Sequence, residues 1–227
     1  MCGRYYRRSD KQRIAEAYKI GEIPASIIIP GWDYNVAPTT FQPVIRADKE
    51  TGDRELVLMR WGLVPFFTKQ LSDVKGLSTI NARAESVEKS APWRTPFKKR
   101  RCLIPADGFY EWRRVDPKNK EPFSFRMADG APFAFAGLWD AWKDPVGQWL
   151  QSFSIITTDA NELMAKVHNR MPVILHPKDY NRWLDRENER PPVDLLRPFE
   201  SEAMASTPVN KLVGNVKNNG PEMLNSA

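Results

Sequence analysis

Two short candidate β-strands, Cys102–Pro105 and Phe109–Arg114, share the stretch Cys102-Leu103-Ile104-Pro105-Ala106-Asp107-Gly108-Phe109-Tyr110-Glu111-Trp112-Arg113-Arg114. A third, Phe123–Met127, is predicted to pair back across the polar loop at 116–121. Apolar and aromatic residues dominate all three segments, as is typical of strands. Two further strands are predicted downstream at Phe133–Trp139 and Trp149–Thr157. The middle of the chain is therefore predicted to form a mainly antiparallel sheet.

Shorter elements flank this region on both sides. Two strands, Pro43–Ala47 and Glu55–Met59, are predicted around a polar turn at 48–53. Capping boxes and apolar periodicity predict several short helices. The predicted helices are those from Ser9 with Gln12 to about Ile20, from Ile80 to about Ser90, from Asp159 with Glu162 to about Val167, and Lys178–Leu184.

Length and composition set the scale of the fold. The chain has 227 residues, of which 41% are hydrophobic, enough to bury a substantial core as one domain or at most two. Its 19 Pro and 12 Gly are spread along the chain and do not form a linker. Short strands with interspersed short helices predict an α+β fold. We expect residues 1–227 to form a single domain.

Charge and cysteine content narrow the possible functions. A net charge of +6 favours polyanionic partners, although many proteins without a nucleic-acid role are equally basic. The two Cys and two His have no zinc-binding spacing, so we expect no metal and no cofactor. The N-terminus is polar and basic, and the longest apolar run, Ile27–Ile29, is too short to cross a bilayer. A soluble intracellular protein without a disulfide framework is predicted.

The start of the chain, Met1-Cys2-Gly3-Arg4, carries the main chemical signal. Because residue 2 is small, aminopeptidase removal of Met1 would leave Cys2 with a free α-amine beside its thiol. Such a 1,2-aminothiol can act as a nucleophile with its own amine as base, or condense with an aldehyde to an imine and then a thiazolidine. An amine pKa of ~7.7–8.0 and a thiol pKa of ~8.5 leave reactive forms near neutral pH. The alternative is that Cys2 is an accident of start-site choice.

Further polar positions could take part in chemistry. Asn81 and Arg83 lie at a predicted helix start, where they could hold an anion or could be an ordinary cap and a surface ion pair. Glu111 is predicted to face opposite to its two aromatic neighbours and to be partly desolvated, which suits proton transfer, unless it lies on the wet face of an edge strand. His168 follows a helix on a turn, where functional residues gather, although a lone His is commonly structural.

Basic and aromatic side chains form a pattern suited to single-stranded nucleic acid. Basic groups can follow the phosphates while rings stack on bases or wedge between them. The same rings could instead belong to the core. The residues of this pattern are Arg4, Arg83, Arg170, Lys217, Trp61, Phe66 and Phe67.

Seven short motifs span nearly the whole chain. In order they are Met1-Cys2-Gly3-Arg4, Tyr34-Asn35-Val36-Ala37-Pro38, Trp61-Gly62, Ile80-Asn81-Ala82-Arg83-Ala84-Glu85, Pro105-Ala106-Asp107-Gly108-Phe109-Tyr110-Glu111-Trp112, His168-Asn169-Arg170-Met171-Pro172 and Gly214-Asn215-Val216-Lys217-Asn218. Together they closely resemble the SRAP family, the SOS-response-associated peptidases or abasic-site-processing proteins. The resemblance implies one domain, with a β-barrel-like core, short flanking helices and a basic cleft.

The resemblance also implies a reaction. The mature N-terminal cysteine of this family bonds covalently to abasic sites in single-stranded DNA, so Cys2 would be the nucleophile. Asn81 would position the cysteine and the sugar, while Glu111 and His168 would be the acid–base groups. Phosphate contacts would come from Arg4, Arg83 and Arg170, joined by Thr157 and Lys217. Phe66 and Phe67 stand where relatives often carry bulky aromatics that displace the complementary strand. In this chain both residues are Phe and not Trp.

Two other classes of function stay open. One is an N-terminal-nucleophile cysteine peptidase, which would need an oxyanion hole, with Asn81 as its candidate donor. The other is a non-covalent binding module for single-stranded or modified DNA, with Cys2 incidental. Strand cleavage by β-elimination, a lyase outcome, could compete with thiazolidine formation. For all of these we expect a monomer in the cytoplasm, associated with the nucleoid and not with a membrane.

Overall fold

A computed structural model describes residues 2–29, 31–74, 79–188 and 190–226 of the chain. Within these residues the chain forms thirteen β-strands, most of them short. In order they are β1 Arg4–Arg7, β2 Asp33–Val36, β3 Phe41–Ala47, β4 Arg54–Trp61, β5 Asn81–Arg83, β6 Arg101–Ala106, β7 Gly108–Arg114, β8 Lys120–Met127, β9 Phe133–Lys143, β10 Trp149–Asp159, β11 Arg170–Pro172, β12 Ile174–Leu175 and β13 Met204–Pro208.

The helices of the described residues are few and short. They are α1 Lys11–Tyr18, α2 Arg94–Lys99, α3 Glu162–Ala165 and α4 Tyr180–Leu184. Short 3₁₀ helices also occur, for example at Ala84–Ser86 and Lys211–Gly214. In the part of the chain that the structure describes, no helix is long and apolar enough to span a membrane.

Five strands close into a barrel. β10, β4, β3, β6 and β9 are hydrogen-bonded in that order, and β9 pairs back onto β10. The β10–β4 pair is parallel and the other barrel pairs are antiparallel. β5 and β11 extend the sheet beside β10, and β12 extends it beside β9. The predicted α+β fold with a mainly antiparallel, barrel-like core is thereby confirmed.

Close packing inside the barrel explains one glycine of β9. Gly137 lies opposite Cys102 in the β6–β9 pair. A Cβ atom at Gly137 would lie 2.0 Å from Ile104 Cδ1 and 2.9 Å from Cys102 Sγ, well inside van der Waals contact. Only glycine therefore lets the two strands and their side chains approach this closely.

A second sheet carries the start of the chain in its interior. Its strand order is β13-β8-β7-β1-β2, so β1 has a hydrogen-bonded neighbour on each side. Arg4 pairs with Tyr110, and Tyr6 pairs with Gly108. A Cβ atom at Gly108 would lie 2.2 Å from the Tyr6 hydroxyl oxygen, so this position in the Pro105–Trp112 motif must be glycine. The pairing fixes where the residues before Arg4 lie.

Two large apolar clusters hold these parts together. The first packs α1 and α4 on barrel strands, through residues such as Tyr18, Trp183 and Leu103. The second joins the barrel to β1 and β7 and includes Cys2 and Tyr5. The Tyr5 ring lies 5.3 Å from the Trp61 ring and 5.7 Å from the Phe135 ring, centroid to centroid. Cys2 and Tyr5 are thus part of the core, which ties the start of the chain to the barrel.

Both predicted capping boxes are wrong, although both helices exist. Asp10 caps α1 by accepting a hydrogen bond from the Arg13 amide, and Ser9 instead donates to Asp107. Asn161 caps α3 in the same way, through the Met164 amide. The predicted cap residues instead form hydrogen bonds with side chains further along the chain, Ser9 with Asp107 and Asp159 with Arg170. Local spacing does not reveal such contacts.

The helix predicted from Ile80 is also wrong. Residues 81–83 form β5, which runs parallel to β10 with Asn81 opposite Ile155 and Arg83 opposite Thr157. Only the three-residue 3₁₀ turn Ala84–Ser86 follows. Pairing with the free side of β10 outweighs the local helical preference, as tertiary context often does.

Candidate functional site

Cys2 lies in the apolar core, two residues before β1. It is 1% exposed and belongs to the same cluster as Trp61 and Met171. Its Sγ lies 4.0 Å from the carbonyl oxygen of Arg4. Burial raises the pKa of the Cys2 thiol, and the negative charge of Glu111 raises it further. The thiol is therefore protonated at neutral pH, and its thiolate is not the dominant reactive form.

Glu111 is a buried carboxylate on β7. The strand lies between β1 and β8, and the side chain is 6% exposed. The prediction that Glu111 is shielded from solvent is confirmed, and the exposed edge-strand alternative is wrong. Because Arg4 pairs with Tyr110, the same register places the residues before Arg4 alongside Glu111. The structure thus brings this carboxylate close enough to Cys2 to act on its charge state.

Asn81 presents a buried acceptor. Its side chain is 6% exposed, and Nδ2 donates a long hydrogen bond of 3.5 Å to the Ile155 carbonyl. Oδ1 has no hydrogen-bond partner among the described residues. Buried amide oxygens are rarely left unpaired, so such an atom often marks a place for a ligand or water donor. The predicted helix-terminus anion site is replaced by an amide on a β-strand.

His168 follows α3 on the turn that leads into β11, as predicted. Its ring is half-buried, and Nδ1 accepts a hydrogen bond of 3.0 Å from the Arg170 amide. A nitrogen that accepts a bond cannot carry the proton, so the neutral ring is protonated on Nε2. The backbone of the His168–Pro172 motif therefore fixes which nitrogen can give up a proton.

Arg170 lies between two carboxylates. Its guanidinium is hydrogen-bonded to Glu85, lies 2.9 Å from Asp159 Oδ1 and donates to the Thr157 carbonyl at 2.7 Å. The bond from Arg170 lowers the pKa of Glu85. The side chain is 16% exposed. A phosphate that reached Arg170 would have to compete with these carboxylates.

Arg83 and Thr157 lie beside this cluster, on paired strands. Arg83 is exposed and forms no ion pair within the described ranges. The Thr157 hydroxyl is buried and donates to the Ala82 carbonyl at 3.4 Å. Of the two, Arg83 is therefore the side chain available to a ligand in solution, while Thr157 fixes the pairing of β5 with β10.

Arg4 is held by a residue that the sequence analysis did not single out. Its Nη1 donates to Asn35 Oδ1 at 2.8 Å and to the Val213 carbonyl at 2.9 Å. Asn35 is buried, and its Nδ2 donates to the carbonyls of Val213, Asn215 and Asn218. Two of the seven motifs, Tyr34–Pro38 and Gly214–Asn218, are therefore in direct contact through Asn35. The sequence signal for this contact was one Asn in the first motif and two Asn residues in the second.

Phe66 and Phe67 form an exposed aromatic pair. Each ring is 54% exposed, and the two centroids lie 5.4 Å apart in an edge-to-face arrangement. Buried Asp140 accepts from the Phe66 amide at 2.9 Å and is ion-paired with Arg100. The loop is thus fixed through its backbone while both rings face solvent. Trp61, the third ring of the predicted pattern, is fully buried and belongs to the core.

The structure groups the predicted residues into several clusters. Cys2, just before β1, lies near Glu111 on β7. Asn35 contacts Arg4 and the carbonyls of Asn215 and Asn218, which flank Lys217 in the sequence. The residues near the end of β10 are Asn81, Arg83, Thr157, His168 and Arg170. Met171 and Met164 join this last group to Cys2 through their shared apolar cluster. Among the described residues no three His, Cys, Asp or Glu side chains are grouped to hold a metal ion.

These features define an α+β barrel protein with a buried cysteine site at the start of its first strand. The family model described as SOS response associated peptidase (SRAP) matches residues 1–216. The chain belongs to this family.

Relatives and solved structures match along the whole chain. The protein named abasic site processing protein YoqW of Bacillus subtilis is 39% identical over 229 residues, which cover 100% of both chains. Abasic site processing protein HMCES of Mus musculus is 28% identical over 268 residues, 99% of this chain and 75% of that protein. A crystal structure of a protein from Bacteroides thetaiotaomicron has a TM-score of 0.88 at 28% identity, with 100% of each chain covered.

Proposed function

We propose that the chain binds single-stranded DNA that contains an abasic site and bonds to it covalently through Cys2. Removal of Met1, which lies outside the described residues, supplies the α-amine. Supporting this are the names of the relatives, which are abasic site processing proteins, and the position of Cys2 beside Glu111. The single observation that carries the proposal is the buried thiol of Cys2 near the start of the chain, with the buried carboxylate of Glu111 beside it.

The amine of Cys2 reacts first. An abasic sugar is a cyclic hemiacetal, and the Nε2 proton of His168 can assist its opening to the aldehyde. Glu111 accepts a proton from the α-ammonium group, and the freed amine adds to the aldehyde carbon. Glu111 returns this proton to the hydroxyl of the adduct, which leaves as water and gives an iminium ion. The raised pKa of the thiol supports this order, because the protonated sulfur is a weaker nucleophile than the free amine.

The thiol then closes the ring. Sulfur adds to the iminium carbon, its proton passes to Glu111, and a five-membered thiazolidine forms. Overall, one aldehyde and one aminothiol give one thiazolidine and one water. The step is intramolecular, and well-placed groups of this kind reach effective molarities of ~10⁵ M or more. Fast closure competes with β-elimination from the imine, the lyase outcome in which the strand breaks.

The remaining site residues hold the DNA. Arg83 is exposed and suited to a phosphate, and the unpaired Asn81 Oδ1 would accept from the sugar or the amine. Arg170 and Thr157 lie at the same strand ends, and Lys217 is exposed on the C-terminal side. Phe66 and Phe67 would stack on or displace bases at a junction with duplex DNA.

A peptidase of the N-terminal-nucleophile type is the second candidate, favoured by the description of the family. It requires donors for an oxyanion, preferably at 2.7–3.1 Å. The candidate donor, Asn81 Nδ2, already points at the Ile155 carbonyl, 3.5 Å away. The covalent DNA reaction needs no such donor, so the geometry favours it.

The intact mass of the protein after mixing with an abasic oligonucleotide tests the proposal. We expect one species at the mass of the chain without Met1 plus the DNA less one water. The matched control is the same oligonucleotide with a tetrahydrofuran residue, which has the same charge but no aldehyde. Equal retention of both oligonucleotides, lost at high salt and without a mass change, would favour a non-covalent module. Turnover of peptides without a DNA adduct would favour the peptidase.

A further inference from the structure

Residues 210–219, here called the C-terminal arm, lie against the start of the chain. The arm contains Lys211 and Lys217 and no acidic residue. It begins with the 3₁₀ turn Lys211–Gly214. Its far end is held where Asn219 Oδ1 accepts from the Tyr34 amide at 2.7 Å. The arm is therefore a short basic segment fixed beside β2.

Asn35 connects the middle of the arm to β1. Its Nδ2 group, with two hydrogens, donates to the carbonyls of Val213 at 3.2 Å, Asn215 at 3.0 Å and Asn218 at 2.8 Å. These carbonyls lie on both sides of Lys217. Loss of the buried Asn35 amide would remove one donor from each of these carbonyls, although Val213 also accepts from Arg4 and Asn215 from the Asn218 amide. The local shape of the arm thus depends on one side chain of β2.

The guanidinium of Arg4 already has hydrogen-bond partners within the protein. Nη1 bonds to Asn35 and the Val213 carbonyl, and Nη2 donates to the Gly214 carbonyl at 3.4 Å. Partial burial lowers the pKa of Arg4. Its main contacts are therefore with the protein, and a positive charge for DNA on this side must come chiefly from elsewhere.

The outer face of the arm suits a nucleic-acid strand. Lys217 is exposed, and its amide donates to Asn215 Oδ1 at 3.1 Å, which fixes the backbone from which the side chain extends. Leu212 and Val216 are exposed apolar side chains on the same segment. A cation next to apolar groups can contact a phosphate and the adjoining sugar or base together.

We propose that Asn35 is a positioning residue that holds the C-terminal arm so that Lys217 contacts a phosphate of single-stranded DNA beside Cys2. This inference rests on the proposed function for the identity of the ligand. Asn35 itself touches no DNA. It acts through the arm, and Arg4 completes the connection between arm and strand.

The salt dependence of binding to an undamaged single-stranded oligonucleotide tests this role. Lys217→Ala should flatten the slope of log K against log salt by about 0.7, the value for one phosphate contact on a single strand. Asn35→Ala should flatten it by a similar amount although no charge is removed. In the Asn35→Ala background, Lys217→Ala should flatten the slope little further, because loss of Asn35 has already moved the Lys217 ammonium away from the phosphate. Lys49→Ala, on the β3–β4 turn, and Asn181→Ala, on α4, are the charge and amide controls and should match the wild type.

A second variant guards against misfolding of Asn35→Ala. Asn215→Ala removes the exposed acceptor that fixes the Lys217 amide, so it should change the slope in the same direction by a smaller amount. Lys217→Arg keeps the charge and should restore the wild-type slope. A wild-type slope in folded Asn35→Ala, or a full additional loss from Lys217→Ala in that background, would overturn the inference.

Hydrogen exchange separates this inference from the proposed function. In the absence of DNA, the Lys217 and Asn218 amides should exchange faster in Asn35→Ala than in the wild type, while the β6 amides stay protected. Unchanged exchange would contradict the positioning role whether or not DNA binds. Wild-type protein that fails to bind single-stranded DNA at any salt concentration would instead contradict the proposed function, and with it the role of the arm.

Discussion

The two cysteines of the chain lie in the same apolar cluster, and both are almost completely buried. Burial raises the pKa of both thiols. Their neighbours differ. Cys102 is the second residue of β6, opposite Gly137, and the positive charge of Arg46 acts to lower its pKa. Cys2 lies at the end of the chain beside the carboxylate of Glu111.

On the proposed function, exposure is a poor guide to which cysteine of this fold reacts. By exposure and by the direction of the pKa shift the two thiols are equivalent, and neither resembles an activated thiolate. What distinguishes Cys2 is the possibility of an α-amine on the adjacent carbon and a proton acceptor next to it. The predictions below test whether that distinction accounts for the chemistry.

The largest effect is expected from removing the Cys2 thiol. Cys2→Ala should abolish the heat-stable DNA adduct, because an imine alone is reversible and cannot close a thiazolidine. Cys102→Ala is the matched control, and its adduct yield should equal that of the wild type. Denaturing gels of each variant with abasic single-stranded DNA measure both. A full-yield adduct from Cys2→Ala would end the thiazolidine proposal.

An extension before Cys2 should have nearly the same effect while leaving both thiols in place. With the nitrogen of Cys2 in an amide bond, no imine can form, although DNA binding should persist through the arginines. An uncleaved N-terminal tag, verified by intact mass, makes this variant. Normal crosslinking by the tagged protein would mean that the amine is not required and that the two cysteines differ for another reason.

Glu111→Gln should slow the reaction without stopping it. Acid–base catalysis contributes about 10²–10⁴-fold, and the loss should be greatest below pH ~7.7, where the amine is protonated and needs a base. Saturating DNA should not restore the rate. Glu121→Gln, on the neighbouring strand β8, is the control. Single-turnover rates against pH and DNA concentration provide the measurement, and full rescue by excess DNA would assign Glu111 to binding.

Around Cys102 we expect packing effects only. Gly137→Ala places a Cβ atom against Ile104 Cδ1, so it should cost about 1–3 kcal/mol of unfolding free energy, as overpacking does. Ile104→Val in the same chain should recover part of that cost by removing the contacting methyl group. Denaturant unfolding of the two variants checks this, and crosslinking per folded molecule should stay constant. A lower crosslinking rate in folded Gly137→Ala would link the two regions chemically.

Alkaline pH should produce the smallest effect. Because the folded-state pKa of Cys102 is raised, its contribution is fully present below the unfolded pKa of ~8.5 and is lost as pH rises above it. The loss is at most about 1.4 kcal/mol per pH unit for each such thiol. Unfolding curves between pH 8 and 10 should be less pH-dependent for Cys102→Ala than for the wild type. Identical slopes would show that Cys102 contributes nothing and that other buried groups with raised pKa values, such as Cys2 and the tyrosines, account for the alkaline loss.

Most strands could be predicted from sequence because their apolar patterns are local. The segments around Cys102–Pro105, Phe109–Arg114 and Phe123–Met127 lie within β6, β7 and β8. Helix caps could not be predicted, since Asp10 and not Ser9 caps α1 while Ser9 contacts Asp107, nearly a hundred residues away. Local spacing carries no information about such partners.

The candidate site shows the same limit. The burial of Glu111 was one of two possibilities in the sequence, and the pairing of β7 with β1 decides between them. Asn35 was missed because its hydrogen-bond partners lie about 180 residues further along the chain. The family motifs included both segments, but only the fold shows that the two segments meet.

The loop of Phe66 and Phe67 is fixed by its main chain. The Phe66 amide bonds to Asp140, and the Thr68 carbonyl accepts from the Trp142 indole at 2.6 Å. The two rings themselves face solvent and support no part of the core. Their identities can therefore change over evolution, or by design, at little risk to folding. On the proposed function, substitutions at these two positions would change the contact with DNA while the barrel beneath stays the same.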